Sequence, residues 1–419
     1  MNPLPRFVRI RQKFTPALPV DLRAAMAAEF AALRPALKSG ARIAIGVGSR
    51  GITNLRAIVA ALIEQVRVAG AHPFIIPAMG SHGGATPEGQ REVLGTYDIT
   101  EATMGVPIRP SLEVRQIGTT VDGAAVYCSV EALAADGIIV VNRIKPHTDF
   151  RGELGSGLLK MCVIGLGKHI GAAAMHRRAS RIGHERTIRQ MAAVIIRETR
   201  LLGGIAILEN QFHDTARLVA IPRHEMEEAE TALVNEARAL MPLLPFDEID
   251  LLIVDRIGKN ISGAGMDPNV INRWVQGYSG ALMRTEPGSP FIRRIFVRGL
   301  TPETHGNGVG IGLADITTTR LVRELDLRST GINALTALAP QTAKIPIHFD
   351  TDREAIGRAL DSLAIDDVAT TRIVRIADTL SLAEMDVSES LWAAASGDPR
   401  LSAAGEPRDM EFGADGNLI

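Results

Sequence analysis

Short apolar runs that end in glycine-rich loops, each followed by a helical repeat, recur through the first half of this chain. That rhythm leaves few architectures open. Arg42–Val47 (RIAIGV) runs into Gly48 and Gly51, and residues 54–69 then place Leu55, Ile58, Leu62 and Val66 on one helical stripe. Pro73–Pro77 (PFIIP) feeds directly into the loop AMGSHGGAT, where Thr86 reads as an N-cap and Pro87 as the first helical residue. Gly137–Asn142 (GIIVVN) leads to Lys145–His147, and Gly204–Leu208 (GIAIL) is a further strand. Strands apolar at nearly every position must be covered on both faces, which predicts an α/β fold with a mostly parallel sheet. Such sheets bind ligands beyond the carboxyl ends of their strands.

The second half repeats the pattern with strands at Leu251–Val254 and Arg294–Val297 and with glycine-rich segments Ile261–Asp267 and His305–Asp315. Residues 224–239 read as a solvent-facing helix, and the two prolines of Met241–Asp250 mark a boundary. The expectation is two α/β domains, residues 1–240 and 247–400, with a cofactor and substrate cleft between them and an irregular polar tail over 401–419. A net charge of −1 and 4% aromatic residues argue against a nucleic-acid surface. The two cysteines, Cys128 and Cys162, form no CxxC pair, so a cysteine-held metal knuckle is not expected, and Cys162 reads as a small buried hydrophobe. No apolar run is long enough to span a bilayer, so a cytoplasmic location with no membrane partner is expected.

The chemistry concentrates between Lys145 and His176, in KPHTDFRGELGSGLLKMCVIGLGKHIGAAAMH. Glycines next to histidines let a ligand approach the backbone, and imidazole can accept a proton near neutral pH or ligate a transition metal. His82, His147, His169, His176 and His305 are singled out, four of them with glycine or proline within two residues; His72, His184, His213, His224 and His348 are set aside. His169 and His176 lie two helical turns apart, too far for both to grip one ion. Lys160 sits in a glycine-rich apolar stretch. It is either a snorkelling surface residue or a desolvated amine able to act as nucleophile or covalent anchor. The strand–turn–helix Gly46–Asn54 offers backbone N–H groups to an anion, with Ser49 and Arg50 to help; an ordinary tight turn reads equally well.

Taken in order, these residues resemble the nickel-pincer lactate racemase family of 2-hydroxyacid racemases and epimerases. The segment Ala78-Met79-Gly80-Ser81-His82, with Thr86, Glu88 and Leu94-Gly95, is similar to the loop that carries the family's first acid/base histidine. His147 after its short strand resembles the second. Lys160 resembles the lysine that tethers a pyridinium mononucleotide as a thioamide, and His176, sixteen residues on, the nickel ligand. Met266–Val270 resembles a substrate-side loop. The resemblance departs at the phosphate loop, where Ser49-Arg50-Gly51-Ile52-Thr53 replaces an Asp-x-Thr-Arg-Pro pattern. It departs again where the family's carboxylate-binding glutamine and lysine are replaced by Asn272 and, in the lysine's stead, Arg273 or Lys259.

The resemblance implies a nickel(II) pincer pyridinium mononucleotide on Lys160, loaded by separate cofactor-biosynthesis proteins, and a small hydroxyacid substrate. It implies hydride abstraction from the α-carbon and return to either face, with His82 and His147 as acid and base. Two other classes fit the same residues: a non-catalytic pincer-nucleotide binding protein, and an α/β hydrolase using an ordinary divalent metal.

Overall fold

The computed structural model describes residues 4–14, 20–48, 51–148, 152–273 and 290–419. The chain divides into two compact units: residues 17–147 with 151–241, and residues 1–16, 148–150 and 242–419.

The first of these units is built on a five-stranded sheet in the order His72–Pro77, Arg42–Val47, Gly137–Arg143, Leu201–Glu209, Thr215–Pro222. The first four strands are parallel and the last is antiparallel. Alternation along each strand sorts residues to two faces. Ile43, Ile45 and Val47 pack with Leu55, Ile58, Leu62 and Val66 of the helix Leu55–Val68 in one core. The opposite face is made shallow by Gly46 and Gly204. A Cβ on Gly204 would lie 2.9 Å from the Leu158 side chain, and one on Gly46 3.5 Å from Leu166. Small residues here let the segment Leu158–Leu166 lie directly on the sheet. Cys162 is wholly buried in that segment, as a small hydrophobe would be, and burial pushes its thiol far above the usual range.

The carboxyl ends of Arg42–Val47, His72–Pro77 and Gly137–Arg143 deliver Gly48, the His82 loop and the His147 loop to one edge of the sheet. The helix Pro87–Thr96 starts where expected, with Thr86 Oγ1 accepting the Gly89 N–H at 3.0 Å. The helix over 226–239 is less solvent-facing than its composition implies. Met226, Glu230 and Val234 are fully buried along one stripe.

The second unit holds an eight-stranded sheet in the order Ile347–Phe349, Ile316–Thr318, Phe291–Leu300, Glu248–Ile257, Ile373–Ile376, Glu384–Ser388, Phe7–Gln12, Leu401–Ala403. Its first five strands are parallel and the rest antiparallel. Two features differ from the sequence reading. Phe7–Gln12 joins this sheet rather than the N-terminal unit, and Leu401–Ala403 in the expected irregular tail is its edge strand. Both pairings are long-range, so no local pattern shows them. The register explains the first one. Val8 and Ile10 face the core, while Arg9 lies opposite Asp386 and Arg11 opposite Glu384 as cross-strand ion pairs.

Asp352 anchors the tail from the other side. Its carboxylate is wholly buried, accepting from Arg298 Nε at 2.8 Å, from Arg320 at 3.3 Å and from the Leu418 N–H at 3.0 Å. Removing it leaves the Arg298 guanidinium buried with only Asp255 as a carboxylate partner. Asp352→Ala is expected to lower unfolding stability by about 3–5 kcal/mol, read from urea denaturation. A loss below about 1 kcal/mol, the range of an exposed pair, would contradict this assignment.

Candidate active site

Lys160 closes a three-residue helical turn, Leu158–Lys160, that begins at Gly157 and continues as a π-helix over Met161–Leu166. Single π-helical turns are uncommon and concentrate at functional sites. The start of this segment is fastened from two directions. Asn142, at the end of the central strand, donates from Nδ2 to the Gly157 carbonyl at 2.9 Å. Glu230 accepts the Leu159 N–H at 2.9 Å with Oε2. A Cβ on Gly157 would stand 2.3 Å from the Glu230 carboxylate, so only glycine admits this contact.

His147 reaches the same point through a closed loop. Lys145 and Ser156 exchange two backbone hydrogen bonds, of 3.1 and 2.8 Å, at its base. The buried His147 ring then places Nε2 2.8 Å from the Lys160 Nζ.

After the π-turn the chain bends by 117° into the helix Lys168–Ile182. Lys168 forms the corner with φ of +55°. Its ammonium is buried and donates to the carbonyl of Pro77, the residue that ends the strand before the His82 loop. Burial lowers its pKa to about 8. The His82 loop is seated on this same bent helical pair. Gly80, with φ of +60°, leaves room for Ile164, and a Cβ there would lie 2.9 Å from that side chain and 3.7 Å from Ala172. Buried Gln90 donates to the Gly80 carbonyl at 3.0 Å and to the His82 carbonyl at 3.4 Å.

His176 lies on the helix Lys168–Ile182, and His184 opens the next one, His184–Glu198. The His184 ring centroid is 6.3 Å from that of His176 and 6.1 Å from that of His147. Lys160, His147, His184 and His176 therefore form one continuous group. His169, on the same helix as His176, is exposed. His305 sits in an exposed turn with φ of +49°. Among the described residues, no three or more His, Cys, Asp or Glu side chains are arranged to hold a metal ion by themselves.

Ser49 and Arg50 lie outside the described residues. In the residues that follow them in sequence, Glu209 accepts from Arg143 and from the Thr53 N–H at 3.2 Å, and Arg143 also donates to the Gly51 carbonyl. Lys259, Asn272 and Arg273 belong to the unit holding residues 242–419. Lys259 Nζ donates to the Gly263 carbonyl at 2.7 Å and to Asn333 at 3.2 Å. Asn272 Nδ2 donates to the Pro290 carbonyl at 3.3 Å. Arg273 is buried, donating to the Leu313 carbonyl at 2.9 Å and to Asp315 at 2.7 Å. Binding a carboxylate through Arg273 would require giving up part of this set.

Three residues here escape a reading by local context. His184 has only a preceding glycine to mark it. Lys168 has flanking glycine and histidine. Glu230 looks like any acidic residue on an amphipathic helix.

Residues 22–187 match the lactate racemase N-terminal domain family. They span His82, His147, Lys160, His176 and His184. The fold is shared with the lactate racemase apoprotein from Thermoanaerobacterium thermosaccharolyticum, at 14% identity over 90% of this chain and 99% of that one, with a TM-score of 0.51. A protein from Thermotoga maritima is 13% identical over 78% of this chain and 84% of its own, with a TM-score of 0.49. No curated protein matches the sequence. Residues 22–187 thus form a domain of the lactate racemase N-terminal type, and the chain shares the α/β fold of the lactate racemase apoprotein.

The buried Glu230 carboxyl is raised from its ordinary value of 4.5 to about 7, first by burial, with the Leu159 and Leu158 N–H groups pulling the other way. The folded state thus holds this proton more tightly than the unfolded chain. Its contribution to stability is full below pH 4.5, fades as pH rises toward 7, and is lost above that. Glu230→Gln keeps an acceptor for the Leu159 N–H without the charge. It is expected to flatten the stability profile between pH 5 and 8 and to gain up to about 3 kcal/mol over wild type at pH 8. Parallel profiles for the two proteins in thermal denaturation would contradict this.

Proposed function

We propose that this protein is a racemase or epimerase of a 2-hydroxyacid that uses a nickel-pincer mononucleotide tethered to Lys160. The observation that carries the reading is the contact between the Lys160 amine and His147, with His184 and His176 continuing the group. A half-buried lysine beside imidazoles fits a covalently held group that also takes a nitrogen ligand. Sulfur donors together with one imidazole would suit a nickel ion. The bound cofactor would supply the hydride acceptor.

The chain's own residues do the rest. Lys160 holds the cofactor, and His176 is its nitrogen ligand. His147 and His82 take and return the substrate's hydroxyl proton. The hydroxyl lies on opposite sides of the reacting carbon in the two enantiomers, so inversion calls for a base on each side, a role assigned here to two histidines on separate loops. Gln90 of the helix Pro87–Thr96 holds the backbone of the His82 loop, and Lys168 ties the preceding strand end to the helical pair through Pro77, which positions the backbone that carries the imidazole. Ser49 and Arg50 are proposed to meet the cofactor phosphate, since they follow a strand end. A site in which side chains alone hold an ordinary divalent metal is less well supported, because no such ligand group exists among the described residues.

The test is conversion of one 2-hydroxyacid enantiomer, deuterated at the α-carbon, by protein made with the cofactor pathway. Both enantiomers are expected, with the deuterium retained in each. Lys160→Arg, which keeps the charge but is a poor acyl acceptor, is expected to lose nickel and all turnover. Washout of the label into solvent would sink the hydride reading. Turnover by Lys160→Arg would sink the tether. Cofactor retention with no turnover of any hydroxyacid would favour the non-catalytic carrier.

A further inference from the structure

We infer that His147 has a second chemical role, as the base that frees the Lys160 amine for the acylation that attaches the cofactor. This rests on the tethering reading above. The supporting geometry is the 2.8 Å approach of Nε2 to Nζ, made by a buried imidazole to a half-buried lysine.

An ammonium has three donors and no lone pair, so it is not a nucleophile. A hydrogen bond between Lys160 and His147 requires one partner to offer a lone pair. Two cations cannot share it. An ammonium donating to neutral imidazole is therefore one proton transfer away from a nucleophilic amine. Neither partner is free to wander. The lysine stands on a turn pinned by Asn142 and Glu230, and the histidine on a loop closed by Lys145 and Ser156. A lysine needed only as a mooring would gain nothing from an imidazole at this distance. A lysine that must attack an acyl carbon needs a base there.

The step balances without an oxidant or reductant. The substrate class is a thiocarboxylate. His147 takes one proton from the Lys160 ammonium, and Nζ forms a bond to the thiocarboxylate carbon. The carbon–oxygen bond breaks while the carbon–sulfur bond is kept. The oxygen leaves with two of the three ammonium protons, one of them returned by His147, as water. A neutral thioamide and a regenerated imidazole remain. The acylated nitrogen no longer has a lone pair to share, so His147 is released from Lys160 for turnover.

The test needs neither cofactor nor activity. The full-length chain, purified without the cofactor pathway, is treated at pH 7 with limiting acetic anhydride. Acetylation at each of its seven lysines is then followed by peptide mass spectrometry. Lys13, Lys38 and Lys344 are exposed and serve as internal standards. Lys160 is expected to react at least about tenfold faster than these three, and to fall about a hundredfold in His147→Gln, the low end of what a placed base contributes. The three standards should be unchanged and the buried Lys168 should stay unreactive, which reports an intact fold. A Lys160 rate equal to the standards in wild type overturns the proposal. So does a Lys160 rate that survives His147→Gln with the standards unchanged and Lys168 still protected. Should that variant not fold, the wild-type ratio alone decides. The tethering reading fails separately, through turnover by Lys160→Arg, and that result leaves the amine's reactivity untouched.

Discussion

A helix that begins inside a protein must find partners for its first N–H groups. At Leu158–Lys160 a buried carboxylate supplies one, and the site depends on that contact. Glu230 can reach the backbone only because residue 157 has no side chain, and Leu158 can lie on the sheet only because residue 204 has none. Together these close approaches set the height of Lys160 above the strand ends. The π-turn, the corner at Lys168 and the helix bearing His176 follow from there. Burying an ionisable group without a paired cation is costly. The cost here is tempered because the carboxyl is shifted toward its neutral form.

The same economy of space shapes the rest of the site. Three strand ends arrive side by side because the strands are parallel and adjacent. Each delivers a loop held by a different device: Gln90 for the His82 loop, a two-bond bridge for the His147 loop, and Glu209 with Arg143 for the loop at Gly51. Histidines far apart in sequence are thereby brought to one bent helical pair, and His147 and His176 both meet His184. Reactive side chains on separately braced loops hold their geometry better than a single flexible loop could.

Much of this is legible in the sequence. Strands such as Arg42–Val47 and Gly137–Arg143 are apolar throughout, and the helix Leu55–Val68 has one clean stripe. Those patterns are local, and the chain follows them. The Thr86–Pro87 start is a local signal too. Phe7–Gln12 and Leu401–Ala403 were not placed, because a strand's partners across hundreds of residues leave no mark on its own composition. His184 was passed over for the same reason: its importance lies in ring neighbours eight and thirty-seven residues away. Glu230 was hidden by its helix, where an acidic residue on an amphipathic pattern ordinarily faces water. The pairs Arg9–Asp386 and Arg11–Glu384 show the complementary point. Charge on alternate residues of a strand becomes readable once its partner is known.

The most direct measurement of the central claim is the mass of the Lys160 peptide, taken with nickel content, from protein made in a host that supplies pincer-nucleotide biosynthesis. A nucleotide-sized adduct on that peptide with one nickel per chain is the predicted result. An unmodified Lys160 without nickel, from a host that does load a control lactate racemase, would contradict the account.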